Sequence, residues 1–450
     1  MDESMDLETN GAAASQQQNQ QQGTSTGASA SKGDDDVWAV NEDDVEEVDD
    51  SKPFVQGQDA NDDDDDDDNV ELAETTEGEV KVGTDDAEGE SQSAEPPQVP
   101  ADGAAFAFTQ HSDSVYCVAL SADGSRALSG GGDDTAYLWG TKDGTPVVKL
   151  SGHTDTIVDC GFSADGSMCA TSGYDAAVRV WNSDTGALVT TLDGPSTEIE
   201  WIRWHPSGNV LMGGSEDATI WVWDLTQGPS FGQCLGVLAG HEGSVTCGLF
   251  TPNGKRIVTG SLDGTVRLWD PKTWTCAHTF AGHEWHQGGV VSLVCHPSQP
   301  MIAAGGVDGT VRLARLETRK IVASFQHDAP KAGAAGEEEV GSVESVDFSD
   351  TLPFVASGAT DGTVKIWDLN TQTCRQVLRH EDAVVRVRFV PGSPTLISCS
   401  ADGTTRMWDA RSGQQMRVLT HHGNMVLNFA MRPGIFVSCS DDHTCRVVHG

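Results

Sequence analysis

From Ala101 to Gly450 apolar and polar residues alternate in runs of five to seven, separated by Gly, Asp, Asn and Ser. A period of two sends one face of each run inward, and turn residues at such short intervals leave little room for helices. The pattern therefore predicts many short antiparallel strands. Before Ala101 the alternation is absent. Only short apolar islands interrupt the polar chain there, at Val37, Trp38 and Val40 and at Pro53–Val55, and they are read as solvated chain.

The strand texture repeats. Gly260–Asp270 reads GSLDGTVRLWD, with close copies at Asp175–Trp181, Asp217–Trp223, Asp361–Trp367 and Asp402–Trp408. More diverged copies lie at Asp133–Trp139, Asp308–Ala314 and Asp442–Val448. The eight aligned Asp residues are spaced by 42, 42, 46, 45, 53, 41 and 40 residues. A period near this length marks a repeat architecture in which each unit buries its apolar face only against its neighbours.

Within the repeat, a His about 22 residues before the Asp, a Ser or Thr four before it and a Trp six after it recur together. The sets are His111, Ser129, Asp133 and Trp139; His153, Thr171, Asp175 and Trp181; His241, Thr259, Asp263 and Trp269; and His380, Ser398, Asp402 and Trp408. Ser, His and Asp suggest a hydrolytic triad, but an active site needs one convergent pocket and these sets recur in four separate repeats. A closed chain of hydrogen bonds from Asp through His and hydroxyl to the Trp indole is the expected role. Three repeats depart from it: Thr197–Pro206 has no opening His, and Ala314 and Val448 stand where a Trp is expected and should pack as apolar residues.

A His ahead of an Asp turn with a closing Trp-Asp resembles the WD-repeat family. The resemblance implies four strands per repeat and a circular β-propeller. Candidate outer strands near 105, 146, 188, 234, 276, 321, 374 and 415 number eight. The expected fold is all-β: an eight-bladed WD-repeat β-propeller over residues 101–450, preceded by a disordered acidic tail over residues 1–100. Strand 103–110 should close the ring by completing the last blade, and residues 327–342 should form a mobile insertion.

Charge sharpens the division. The 450 residues carry 69 Asp and Glu against 27 Lys and Arg, a formal net charge of −42. Residues 1–100 hold 31 acidic residues, three Lys and no Arg, including the run Asp62–Asp68. Such a segment buries too little apolar surface to offset its ordering entropy. Phosphates and anionic headgroups would repel it, which argues against direct nucleic-acid or membrane binding and favours a basic partner. The 11 Cys are scattered singly and the start MDESMDLETN lacks a signal-peptide pattern. Free thiols in the cytoplasm, with the nucleus as an alternative location, are expected. His283 and His286 lack further nearby ligands and the glycine runs do not precede helices, so no metal or cofactor is expected.

Side chains just before the Asp and at the start of each inner strand should face solvent on one face of the ring. They include Tyr116, Thr156, Tyr174, Glu198, Glu200, Glu216, Glu344 and Asp441, five of the eight being acidic. Tyr among carboxylates suits a basic peptide through charge-assisted hydrogen bonds and cation–π contact.

The acidic tail together with FTQHSDSVYCVAL (Phe108–Leu120), IEWIRWHP (Ile199–Pro206), SVESVDF (Ser342–Phe348) and RMWDARSG (Arg406–Gly413) resembles the family of the angio-associated migratory cell protein. That family is similar to a fungal eight-bladed propeller that chaperones large-subunit ribosomal protein ten by its basic N-terminal segment. The resemblance implies a monomeric, noncatalytic escort of a ribosomal protein that supports ribosome assembly. Two alternatives stay open. Leu396–Arg411 resembles the box of cullin-type ubiquitin-ligase receptors, with Trp408, Asp409 and Arg411 as its markers, and the animal relatives imply a signalling scaffold in cell migration.

Overall fold

The computed structural model describes residues 106–327, 331–332, 338–339 and 341–449. The expectations for the tail over 1–100 and for most of the 327–342 insertion fall outside them. Among the described residues, eight four-stranded antiparallel sheets follow one another, with one short hairpin of Lys331–Ala332 and Glu338–Glu339. The innermost strand of each sheet contacts that of the next, and the last contacts the first. The result is an eight-bladed β-propeller. Its inner strands are Val115–Leu120, Ile157–Phe162, Ile199–Trp204, Cys247–Phe250, Val290–Cys295, Ser345–Phe348, Val384–Phe389 and Val426–Arg432, which define blades 1 to 8.

Ring closure comes from the start of the described chain. Phe106–Phe108 is the outermost strand of blade 8, with Phe106 opposite Val447 and Phe108 opposite Cys445. Phe108 also stacks on Trp139 of blade 1, 4.6 Å between ring centroids. One side chain therefore bridges the first and last blades.

Second strands are the most buried because both of their faces meet other blades. Met168–Gly173, Val210–Ser215 and Met301–Gly306 are buried at every position. Close blade packing explains their small residues: a Cβ at Gly130 would stand 2.5 Å from Ile157 of blade 2. Each innermost strand faces the central channel with a free edge, which would leave backbone N–H groups unpaired. Side chains from the preceding blade meet several of them. Asp159 accepts from the Ile202 N–H (3.0 Å), Ser292 from Val346 (2.9 Å), Ser345 from Val387 (3.0 Å) and Asp347 from Phe389 (2.7 Å).

The repeated polar sets form the expected chains. In blade 4, His241 Nδ1 lies 2.9 Å from Asp263, His241 Nε2 lies 2.8 Å from the Thr259 hydroxyl, and Trp269 Nε1 donates to that hydroxyl at 2.8 Å. Blades 1, 2 and 7 repeat the arrangement. The hydroxyl groups of Ser129, Thr171, Thr259 and Ser398 sit on fully buried residues, so they are structural linkers with no access to substrate.

Departures are repaired in different ways. Blade 6 completes its chain with His327, which bonds Ser357 (2.7 Å) and Thr363 (2.8 Å) while Trp367 donates to Ser357. His327 thus belongs to the blade rather than to a loop, and the insertion starts after it. In blade 3, Thr197 bonds Ser215 (2.8 Å) where the His is missing, and Trp201 crosses to blade 4 and donates to the Val245 carbonyl at 2.7 Å. Blade 5 lacks both the hydroxyl (Ala304) and the Trp (Ala314), and buried Trp285 packs in the same apolar cluster as those alanines. Val448 in blade 8 packs as an apolar residue against Phe429 and Phe436, as expected, and beside it the polar link survives. His422 joins Asp442 (2.9 Å) to Ser438 (2.8 Å), and His421 also reaches Ser438.

These chains predict a pH dependence. Burial opposes ionisation of Asp133, Asp175, Asp263, Asp308, Asp402 and Asp442. Hydrogen bonds from the paired His and from the next backbone N–H outweigh it, so each carboxyl is held below its ordinary range. Folded-state values below the unfolded value near 4 mean that this stabilisation is complete above about pH 4 and is lost as pH falls further. Thermal melts should show a nearly constant Tm from about pH 7 to 5 and a steep fall below about pH 4. Asp402→Asn should cost about 1–3 kcal/mol at neutral pH and make the acid limb shallower.

Candidate functional site

One geometric rule organises the face where the His loops and Asp turns meet. The residue before each Asp donates its backbone N–H to the carbonyl of the residue that leads into the inner strand. The pairs, in blade order, are Gly132 to Ser114, Tyr174 to Thr156, Glu216 to Glu198, Leu262 to Ser244, Val307 to Gly289, Thr360 to Ser342, Ala401 to Ala383 and Asp441 to Met425. Each blade therefore presents two adjacent positions on this face, one of them glycine in blade 1 (Gly132) and blade 5 (Gly289).

A bulge adds a third. The ladder skips one residue near the start of the inner strand in blades 1, 2, 3, 5, 7 and 8, releasing Tyr116, Val158, Glu200, Val291, Val385 and Leu427. Thr246 and Glu344 precede the shorter inner strands of blades 4 and 6 at the same level. A bulge re-aims the side chain it frees, here toward the channel mouth. Thr246, Val291, Glu344, Val385 and Leu427 all line the central cavity.

Most of the sequence-predicted residues gather on blades 1 to 3. Tyr116 and Tyr174 are 41% and 39% exposed. Burial raises the Tyr174 phenol, and the negative charges of Glu200, Glu198 and Asp155 raise it further, with Tyr116 also in range. Burial likewise raises Glu200, reinforced by Glu198 and Glu216. Two phenols and four carboxylates thus lie within electrostatic reach, with Thr156 beside Tyr174. Crowding like charges beside half-buried phenols is unfavourable in isolation and is relieved by an incoming cation.

Two predicted residues stand apart. Glu344, on blade 6, lines the channel on the far side of the ring. Asp441 already accepts from the Ser114 hydroxyl and from Asn424 Nδ2, an arrangement that ties blade 8 to blade 1. Exposed apolar residues on other blades of this face were not among the sequence candidates. Leu262 (51% exposed) and Val307 (41%) stand side by side on neighbouring blades 4 and 5, and Met425 (39%) is exposed on blade 8. Leu262 and Val307 occupy the very position before the Asp that yields Tyr174 and Glu216, so that position carried the signal, and a search confined to acids and aromatics missed it.

The remaining candidates are placed simply. Trp408 is buried in the polar chain of blade 7, Asp409 Oδ1 accepts from the Arg411 N–H at 2.8 Å, and the Arg411 side chain is exposed. His283 is exposed beside Glu284, whereas His286 binds Asp308 at 3.1 Å inside blade 5. Among the described residues no group of three or more His, Cys, Asp or Glu is placed to hold a metal ion.

Comparison with known proteins sets this geometry in context. The family profile described as the WDR36/Utp21 first beta-propeller matches residues 184–410, and the WD domain, G-beta repeat, matches 105–140 and 144–182. A WD repeat-containing protein of Schizosaccharomyces pombe is 40% identical over 298 residues, 64% of this chain and 71% of its own length. The human angio-associated migratory cell protein is 33% identical over 208 residues, 45% of this chain. The chain spans about half the length (48%) of that relative. The crystal structure of Saccharomyces cerevisiae Sqt1 superposes with a TM-score of 0.71 at 21% identity, covering 77% of this chain and 99% of that one. Chaetomium thermophilum Sqt1, solved bound to the N-terminus of the ribosomal protein L10, superposes with a TM-score of 0.69 at 25% identity, covering 78% of this chain and 100% of that one.

Proposed function

The chain belongs to the WD-repeat β-propeller family, and from that premise we propose that it is a noncatalytic escort for a large-subunit ribosomal protein, holding the client's basic N-terminal segment. One observation carries the reading: the cluster of Tyr116, Tyr174, Glu198, Glu200 and Glu216 on a single face, with exposed Leu262 and Val307 on the adjoining blades 4 and 5. Its support by likeness is the Chaetomium protein solved bound to the N-terminus of the ribosomal protein L10.

The chemistry follows from these two groups of residues. Lys and Arg of the client would neutralise the crowded carboxylates, and their charged heads would lie over the phenol rings. Apolar client residues would reach Leu262 and Val307 on the adjoining blades. Held this way, a basic segment is shielded from RNA and from aggregation. The large acidic excess of the chain speeds encounter without adding much affinity of its own. The cytoplasm, where ribosomal proteins are synthesised, is the site this reading assigns.

The test is titration of the full chain with a synthetic peptide of the N-terminal segment of ribosomal protein L10. A Kd of about 1 µM or tighter is expected at low salt, weakening at least about tenfold as ionic strength rises from about 0.05 to about 0.5 M. Absence of binding at low salt would refute the assignment.

A further inference from the structure

The strongly acidic chain gathers arginines inside its central channel. Arg203 lies on the inner strand of blade 3, and Arg386 and Arg388 lie on that of blade 7. In a ring of eight, blades 3 and 7 stand opposite one another. Arg386 and Arg388 are two residues apart on one strand and so project toward the same side. All three side chains line one polar cavity of about 340 Å³. Burial lowers Arg386 to about 9, and the positive charges of Arg388 and Arg203 contribute to the shift. The guanidinium groups therefore feel one another across the lumen.

Existing partners use only part of this donor capacity. Arg203 donates to Asp159 and to the Ile202 carbonyl, and Arg386 donates to Asn428. Arg388 has no hydrogen bond or ion pair among the described residues. Of the channel's carboxylates, Asp159 and Asp347 are already engaged, and Glu344 lines the same cavity. Asp159 accepts from Arg203 and from the Ile202 and Cys160 N–H groups, and Asp347 accepts from the Phe389 N–H. Burial pushes Asp347 up to about 6 against the pull of the nearby arginines, so at neutral pH it is mostly ionised and offsets one of their charges. Three guanidinium groups against the two lining carboxylates Glu344 and Asp347 leave the cavity with an excess positive charge and donors to spare.

We infer that the central channel is a binding site for a phosphate-class oxyanion, held by Arg388 and Arg386 on one wall and approached by Arg203 from the other. Guanidinium forks match the oxygen spacing of phosphate and bind it through paired N–H donors. The anion would bridge opposite blades and screen their mutual repulsion. This site is separate from the acidic face and takes a ligand of opposite charge.

Thermal unfolding of the full chain in phosphate, pyrophosphate, sulfate or chloride at matched ionic strength tests the inference. The expected result is a saturable rise in Tm of a few degrees with the oxyanions at millimolar concentration and none with chloride. A larger rise with pyrophosphate than with phosphate would assign a condensed phosphate, and the reverse a single one. Arg388→Gln should fold with an unchanged circular dichroism spectrum, because its guanidinium makes no hydrogen bond to the protein, and should lose the oxyanion-dependent rise. Arg388→Lys, which keeps the charge without the fork, should weaken anion binding by about tenfold in direct titration. An equal rise in chloride, or a full oxyanion response in folded Arg388→Gln or Arg388→Lys, would overturn the proposal.

Discussion

Replacing Glu198, Glu200 and Glu216 together by Lys is expected to weaken binding of a basic ribosomal-protein N-terminal peptide by at least about a hundredfold. Each reversal removes an attraction and adds a repulsion at a face where Glu200 is already partly desolvated. Charge pairs at such sites contribute about 1.5 kcal/mol or more each, so three reversals exceed the 2.7 kcal/mol or so that a hundredfold loss needs. Most of the loss should appear in the association rate for the exposed Glu216 and in the dissociation rate for Glu200. Glu344→Lys alone should change affinity by less than about threefold, since it sits across the ring from the cluster. Peptide titration with melts of each variant separates loss of binding from loss of fold.

The second large effect concerns closure of the ring. A chain beginning at residue 111 lacks Phe106–Phe108, leaving blade 8 with three strands and an open edge beside Trp139. Exposed edges pair with other chains and aggregate. Such a chain should lose its single cooperative melt and associate in solution, whereas one beginning at residue 101 should melt within about 2 °C of the full chain. Phe108→Ala isolates the bridging contact. Removing a fully buried ring that stacks on Trp139 should cost about 3–5 kcal/mol, read as a drop in Tm of roughly 4–7 °C.

Much of this architecture is legible in the sequence because one strand pattern is written eight times, and each copy supplies an independent reading of the same turn. The polar chains follow for the same reason: their spacing is local to a blade. What stays hidden depends on contacts between blades or on a displaced partner. His327 is invisible as the blade 6 histidine because it lies 30 residues before Ser357, where blade 1 has 18. Trp285 and Trp201 fill space that only neighbouring backbones define. The candidate face was half legible, since position before the Asp identifies Tyr174 and Glu216 but a bias toward charge passes over Leu262 and Val307. The arginines of the channel meet only because the ring closes. No local pattern relates Arg203 to Arg388.

The central claim is that this propeller receives a ribosomal protein by its basic N-terminus. The most direct measurement is capture of the full chain from actively translating cells, followed by sequencing of the ribosome-protected messages that come with it. The account predicts strong enrichment of one nascent large-subunit ribosomal protein, beginning soon after its N-terminal segment leaves the ribosome, and loss of that enrichment in the Glu198, Glu200 and Glu216 to Lys variant. Equal recovery of unrelated nascent chains, or enrichment that survives the charge reversal, would contradict it.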